Sequence, residues 1–168
     1  IRGNPTLRSL RFVLSNAATR REGQFGRRSL MINDIRRAYL YAKATRDIYI
    51  RVPPEDPDCK PGVLGKLRLC LYGTHDAAKG WQETLSAQLE AIGFTRGVGH
   101  PSVFHHNERG LMTLVHGDDY VSSDMQGDLD WLEMKLEKAY KIQTQKLGPY
   151  SGLDKEGKVF NRIVRCTS

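Results

Sequence analysis

The sequence predicts an α+β fold: a mainly antiparallel sheet backed by two amphipathic helices, read as a single domain over residues 1–168. Strand and helix signals mix along the chain without the regular βαβ rhythm that a parallel sheet requires. The two strongest helical periodicities, at 76–92 and 126–140, each carry one apolar face. A chain of 168 residues can bury one core, and 39% hydrophobic content with a mean hydropathy of -0.50 suits a globular domain. No apolar run reaches the length of a membrane span. Starting at Ile1 with no signal-peptide pattern, the chain reads as a piece of a longer polypeptide.

Residues 5–19 read as a helix. Asn4 can cap it, Pro5 suits its first turn, and Leu7, Leu10, Leu14 and Ala17 recur at helical spacing. GQFGRR, 23–28, is a glycine-punctuated loop. SLMINDI, 29–35, is a strand that delivers Asp34 near its end, and DIYIRV, 47–52, is a second strand, alternating and β-branched. Four of the seven prolines fall in PPEDPDCKPG, 53–62, which must be loop, and KLRLCL follows as a short strand. In the helix 76–92, Asp76 caps, Ala78, Trp81, Leu85, Leu89 and Ile92 form the apolar face, and Gly93 closes it. Trp81 is read as core. SVFHH and LMTLVH are strands, and in 126–140 Leu129, Leu132, Leu136 and Ala139 point inward. Two strands close the chain, around KIQTQ and KVFNRIVR.

The net charge of +7 is uneven. Residues 1–51 hold 12 Lys and Arg against 3 Asp and Glu, whereas the remaining 117 hold 14 against 16. A local positive field suits a polyanion, and Arg20, Arg21, Arg27, Arg28, Arg36 and Arg37 are the candidates for contact with nucleic-acid phosphates. A solvated basic face accounts for the same charge. Cys59, Cys70 and Cys166 leave an odd cysteine, which fits a reducing compartment, cytoplasm or nucleus. Cys70 and His75 have C-x4-H spacing, but no CxxC precedes them, so no structural zinc is expected.

LMTLVHGDDYVSS, 111–123, sets adjacent carboxylates, Asp118 and Asp119, between two strand-like runs. An acidic, solvated hairpin turn is one reading, because Gly and Asp are ordinary turn residues. The other is a divalent cation that neutralises two like charges, and it needs a third carboxylate. Asp34, at the end of an apolar strand, is the most suggestive partner.

A strand ending in D-I-R-R-A-Y-L-Y and a distant G-D-D hairpin together resemble motifs A and C of the palm of nucleic-acid polymerases. The blocks NDIRRAYLYAKATRDIYIRVPPED, LRLCLYGTHDAAKGWQETLSAQLEAIGF and HPSVFHHNERGLMTLVHGDDYVSS make the resemblance more specific. In this order, within residues 29–123, they are similar to the reverse transcriptase of copia-type (Pseudoviridae) LTR retrotransposons. The family has Tyr-Val where this chain has His116-Gly117, and K-Q-A-P-R at His75 to Lys79. LGPYSGLDKEGKVFNRIV matches the family's primer-grip segment poorly.

The resemblance implies a palm-like fold with incomplete fingers and, in the full-length Pol polyprotein, RNA-directed DNA polymerase activity. It implies Asp34, Asp118 and Asp119 as catalytic residues that hold two Mg²⁺ ions, or Mn²⁺ in their place, with the Ile35 carbonyl as a further ligand. Tyr39 takes the position of a ring that blocks a ribose 2′-hydroxyl, and Tyr72 and Gly73 resemble the nucleotide floor. The implied partners are an RNA or DNA template–primer, deoxynucleoside triphosphates, and other polyprotein domains such as RNase H and integrase. Two alternatives stay open: a non-catalytic structural or binding subunit derived from a retroelement, and an RNA-templated RNA polymerase, since Gly-Asp-Asp is also that enzyme's pattern.

Overall fold

The computed structural model describes residues 7–19 and 26–167. In chain order these form α1 (Leu7–Ala18), β1 (Ser29–Ile35), a 3₁₀ turn (Ala38–Tyr41), β2 (Tyr49–Arg51), β3 (Leu64–Lys66) and α2 (Ala77–Ala91). There follow β4 (Phe94–Arg96), β5 (Val103–His106), β6 (Met112–His116), β7 (Asp119–Asp124), α3 (Gln126–Glu137), β8 (Ile142–Leu147), β9 (Glu156–Val159) and β10 (Arg162–Arg165). The fold is α+β, as expected, with a mainly antiparallel sheet and three helices. The chain divides into two compact units, one made of residues 1–36 and 87–168, the other of residues 37–86.

The larger unit is built on a six-stranded sheet in the order β4-β5-β6-β7-β1-β8, every neighbouring pair antiparallel. Because side chains alternate across a strand, the register sorts them onto two faces. One face carries Leu30, Met112, Leu114, Val121 and Leu147, which join Leu10 and Val13 of α1 and Val159 of β9 in one core. The opposite face carries Met31, Ile35 and Tyr120, all fully buried, while α3 meets β1, β7 and β8. Leu129, Leu132 and Leu136 of α3 recur at helical spacing and are likewise inaccessible. The helix stops at Glu137, short of the expected 140, and Ala139 is exposed rather than inward.

Gly93 closes α2 at φ +99, a left-handed conformation that favours glycine. It is also sterically required, since a Cβ there would stand 2.7 Å from Nε2 of His106. His106 itself is buried in an aromatic cluster, edge-on to both Phe94 and Trp131. The carboxy-terminal segment departs from the expected single strand. KVFNRIVR folds back on itself as the β9–β10 hairpin, with Phe160 and Asn161 both left-handed at φ 46 and 62. Such a two-residue turn needs positive φ at both positions; Asn tolerates this readily, and Phe does not.

In the smaller unit β2 and β3 form a short hairpin around the proline-rich loop. The expected strand 66–71 is displaced: the ladder covers Leu64–Lys66, because Pro53 and Pro54 end β2 early. Residues 67–70 continue beside 42–48 through single bonds, including Leu67 N–H to the Ile48 carbonyl and Cys70 N–H to that of Ala42. Trp81 is buried, as expected, with the ring of Tyr41 6.4 Å away.

Candidate active site

β6 and β7 are joined by two residues, Gly117 and Asp118, with Gly117 at φ +61. That turn sets His116 opposite Asp119, and on the other side of β7 the register sets Asp119 opposite Asp34 of β1. Ile35 N–H donates to the Asp118 carbonyl at 2.9 Å, one register step away. Asp34 and Asp119 are therefore a non-hydrogen-bonded pair, the kind whose side chains lie closer together. His116, Asp119, Asp34 and Gln143 thus form one row across four strands, projecting from the same face. Asp118 stands beside the row in the turn, and Ile35 follows it, fully buried.

The electrostatics agree with this placement. Burial pushes the half-buried Asp119 carboxyl up, and repulsion from Asp118 and then Asp34 pushes it further, with His116 opposing. The Asp119 carboxylate thus feels both acidic neighbours. Their oxygens are hard donors of the type that Mg²⁺ and Mn²⁺ take. Among the described residues, however, no three His, Cys, Asp or Glu side chains are gathered into a ready ligand set.

A cleft of about 540 Å³ opens beside Asp119. Ile32, His116 and Val121 wall it on the sheet, and Lys158, Phe160 and Arg162 wall it on the β9–β10 hairpin. The His116 ring meets Phe160 edge-on, with centroids 5.6 Å apart. In the sequence the hairpin's part in this cleft has one signal, Asn161, a residue that tolerates left-handed turns.

In the smaller unit Tyr39 and Tyr72, both expected near a nucleotide, pack on each other with ring centroids 4.3 Å apart. Gly73 lies next in the chain at φ +89. Arg27, Arg36 and Arg37 are exposed, whereas Arg20 and Arg21 lie outside the described residues. Arg28 is a correction. Its side chain is 2% exposed, pairs with the equally buried Asp124 at 3.3 Å, and donates to the carbonyls of Asn16 and Thr19 at 3.0 Å each. Those carbonyls belong to the end of α1 and the residue after it, where a helix leaves acceptors unpaired. Arg28 is thus a buried clasp between α1 and the sheet, not a phosphate contact.

No protein-family model matches the chain. It is 34% identical over 92 residues to the retrovirus-related Pol polyprotein from transposon RE1 of Arabidopsis thaliana, and 30% identical over 92 residues to that from transposon RE2. In each case the match covers 52% of this chain and 6% of the relative. Among the described residues no helix is long and apolar enough to cross a membrane. The similarity supports an origin of this chain in a retrotransposon Pol polyprotein.

Proposed function

We propose that the chain is the palm, with partial fingers, of a copia-type reverse transcriptase, extending a primer on an RNA or DNA template as part of a longer polyprotein. The observation that carries this reading is the register that opposes Asp34 to Asp119 with Asp118 in the adjoining turn. Phosphoryl transfer asks little covalent chemistry of a protein; it asks for positioned negative charge to hold cations and positioned positive charge to meet phosphates. Two Mg²⁺ or Mn²⁺ ions, when bound, would activate the primer 3′-hydroxyl and steady the triphosphate. Asp34 and Asp118 would hold both ions, with Asp119 and the Ile35 carbonyl in support. Strand-borne placement keeps Asp34 and Asp119 from drifting, because each is fixed by a ladder on both sides. Tyr39 would exclude a ribose 2′-hydroxyl, Tyr72 and Gly73 would underlie the nucleotide, and exposed Arg27, Arg36 and Arg37 would meet phosphates.

A second reading, a non-catalytic subunit, is favoured by the carboxylates' failure to converge on one point. Primer extension in Mg²⁺ with a templated oligonucleotide separates the two. We expect incorporation of deoxynucleotides that Asp118→Asn abolishes while circular dichroism is unchanged. Template–primer binding without incorporation, in both metals, would give the place to the subunit reading. Incorporation of ribonucleotides in preference would give it to an RNA polymerase.

A further inference from the structure

We propose that the outward face of α1 binds an unpaired stretch of nucleic acid, with Arg8 and Arg11 on its phosphates and Phe12 against a base. The inference rests on the nucleic-acid reading above and names a surface, apart from the acidic row, that holds the strand. Arg8, Arg11, Phe12 and Ser15 recur at i, i+3, i+4 and i+7, so they form one stripe, and all four are exposed. The stripe lies opposite the packed side of the helix, where Leu10 and Val13 enter the core. α1 contains no Asp or Glu, and neither arginine pairs with an acid among the described residues. Solvation favours arginines in such a place. It disfavours the ring of Phe12, which stands 53% exposed one turn from Arg8.

The position of the helix supplies an independent argument. Leu30, Ile32 and Asp34 alternate onto one face of β1, as Val121 and Asp119 do on β7. α1 packs on that same face, against Leu30, Val121 and Ile32. Its outward stripe and the acidic row therefore open to the same side of the sheet. Asn16 of α1 donates to Ser123 Oγ at 2.9 Å, and the Arg28 clasp ties down the end of the helix, so the stripe sits on a fixed support. Ser123 follows Asp119 by four residues on β7, roughly 13 Å at strand spacing. With one phosphate per ~3.4 Å of each strand, about four nucleotides cover that distance. Arginines neutralise the phosphates, and an exposed aromatic ring stacks on a base that has no partner strand. A duplex, whose bases are already stacked and paired, gives the ring no such face.

The test is fluorescence polarisation of the chain with a labelled single-stranded oligonucleotide, and with the duplex of equal length, over a salt series. Arg8→Gln/Arg11→Gln should make the slope of log affinity against log salt shallower by about 1.4 on the single strand, at about 0.7 for each lost phosphate contact. Phe12→Ala should weaken single-strand binding roughly 5- to 150-fold at an unchanged slope, and leave duplex binding as it was. Circular dichroism should be unchanged in both variants, since all three side chains face solvent. Salt-dependent binding that either variant leaves untouched would overturn the proposal while the polymerase reading stands, as would an equal loss on the duplex in Phe12→Ala. Poly-aspartate bound with the same dependence on Phe12 would overturn it in favour of an acidic protein partner. If wild type binds neither oligonucleotide at low salt, the nucleic-acid reading fails first and this proposal falls with it.

Discussion

Replacing Arg28 by Met separates a structural arginine from a nucleic-acid-binding one. The Arg28 and Asp124 side chains are 2% and 1% exposed, so the substitution leaves a carboxylate inside the protein without its counter-charge. One support remains to it, the Met125 N–H at 2.8 Å from Oδ1, while Oδ2 has no partner. Breaking a buried pair from one side costs about 3–5 kcal/mol. The loss includes two charge-assisted bonds that tie the end of α1 to the sheet. Against a whole-domain stability of about 5–15 kcal/mol, that is severe. The double variant Arg28→Met/Asp124→Leu removes both charges and should recover most of the loss, because an apolar replacement of a buried ion pair is often neutral. Urea unfolding followed by circular dichroism measures all three proteins. Fluorescence polarisation of an oligonucleotide against salt supplies the second axis, since phosphate contacts set the slope of affinity with ionic strength. Arg28→Met should fall in stability at an unchanged salt slope. Stability within about 0.5 kcal/mol of wild type, the range of an ordinary surface substitution, together with a shallower slope, would refute the clasp.

Other consequences follow from the acidic row and its turn. The folded state holds the Asp119 proton to higher pH than the unfolded chain does, because burial and its two acidic neighbours raise its pKa. The metal-free protein should therefore lose stability as pH rises from the ordinary carboxylate pKa through the raised one, and Asp119→Asn should flatten that decline in a thermal-melt series. A divalent ion at 100 times its dissociation constant should restore about 2.7 kcal/mol to wild type and much less to Asp119→Asn, by differential scanning calorimetry. Gly117→Ala should cost about 1–2 kcal/mol in urea, entirely through the backbone, since a Cβ there meets nothing within 4 Å. Tyr39→Ala should narrow discrimination against ribonucleotides by about 10- to 200-fold in kcat/KM, and an unmoved ratio would reduce Tyr39 to a packing partner of Tyr72.

The parts legible in the sequence are those set by local periodicity. SLMINDI became β1 at its expected bounds as a short, largely apolar run, and Leu129, Leu132 and Leu136 went inward because a period of 3.6 survives in almost any surroundings. The pairing of Asp34 with the Asp118–Asp119 turn rests on the need for a third carboxylate at a strand end and then on resemblance, since no periodicity links residues 85 positions apart. Arg28 was misread for a different reason. Counting charge cannot distinguish an arginine that faces solvent from one whose partner, Asp124, arrives 96 residues later. The β9–β10 hairpin was missed because Phe160 sits where turn chemistry asks for Gly or Asn. A left-handed Phe carries strain on the order of 1–3 kcal/mol, which surrounding contacts must offset. Its ring lies against His116, and with Asp119 the two line one cleft. The position hardest to foresee from local rules is therefore the one that brings a distant hairpin against the acidic row. Its absence from the turn's residue preferences is what a tertiary contact overriding local propensity looks like in a sequence.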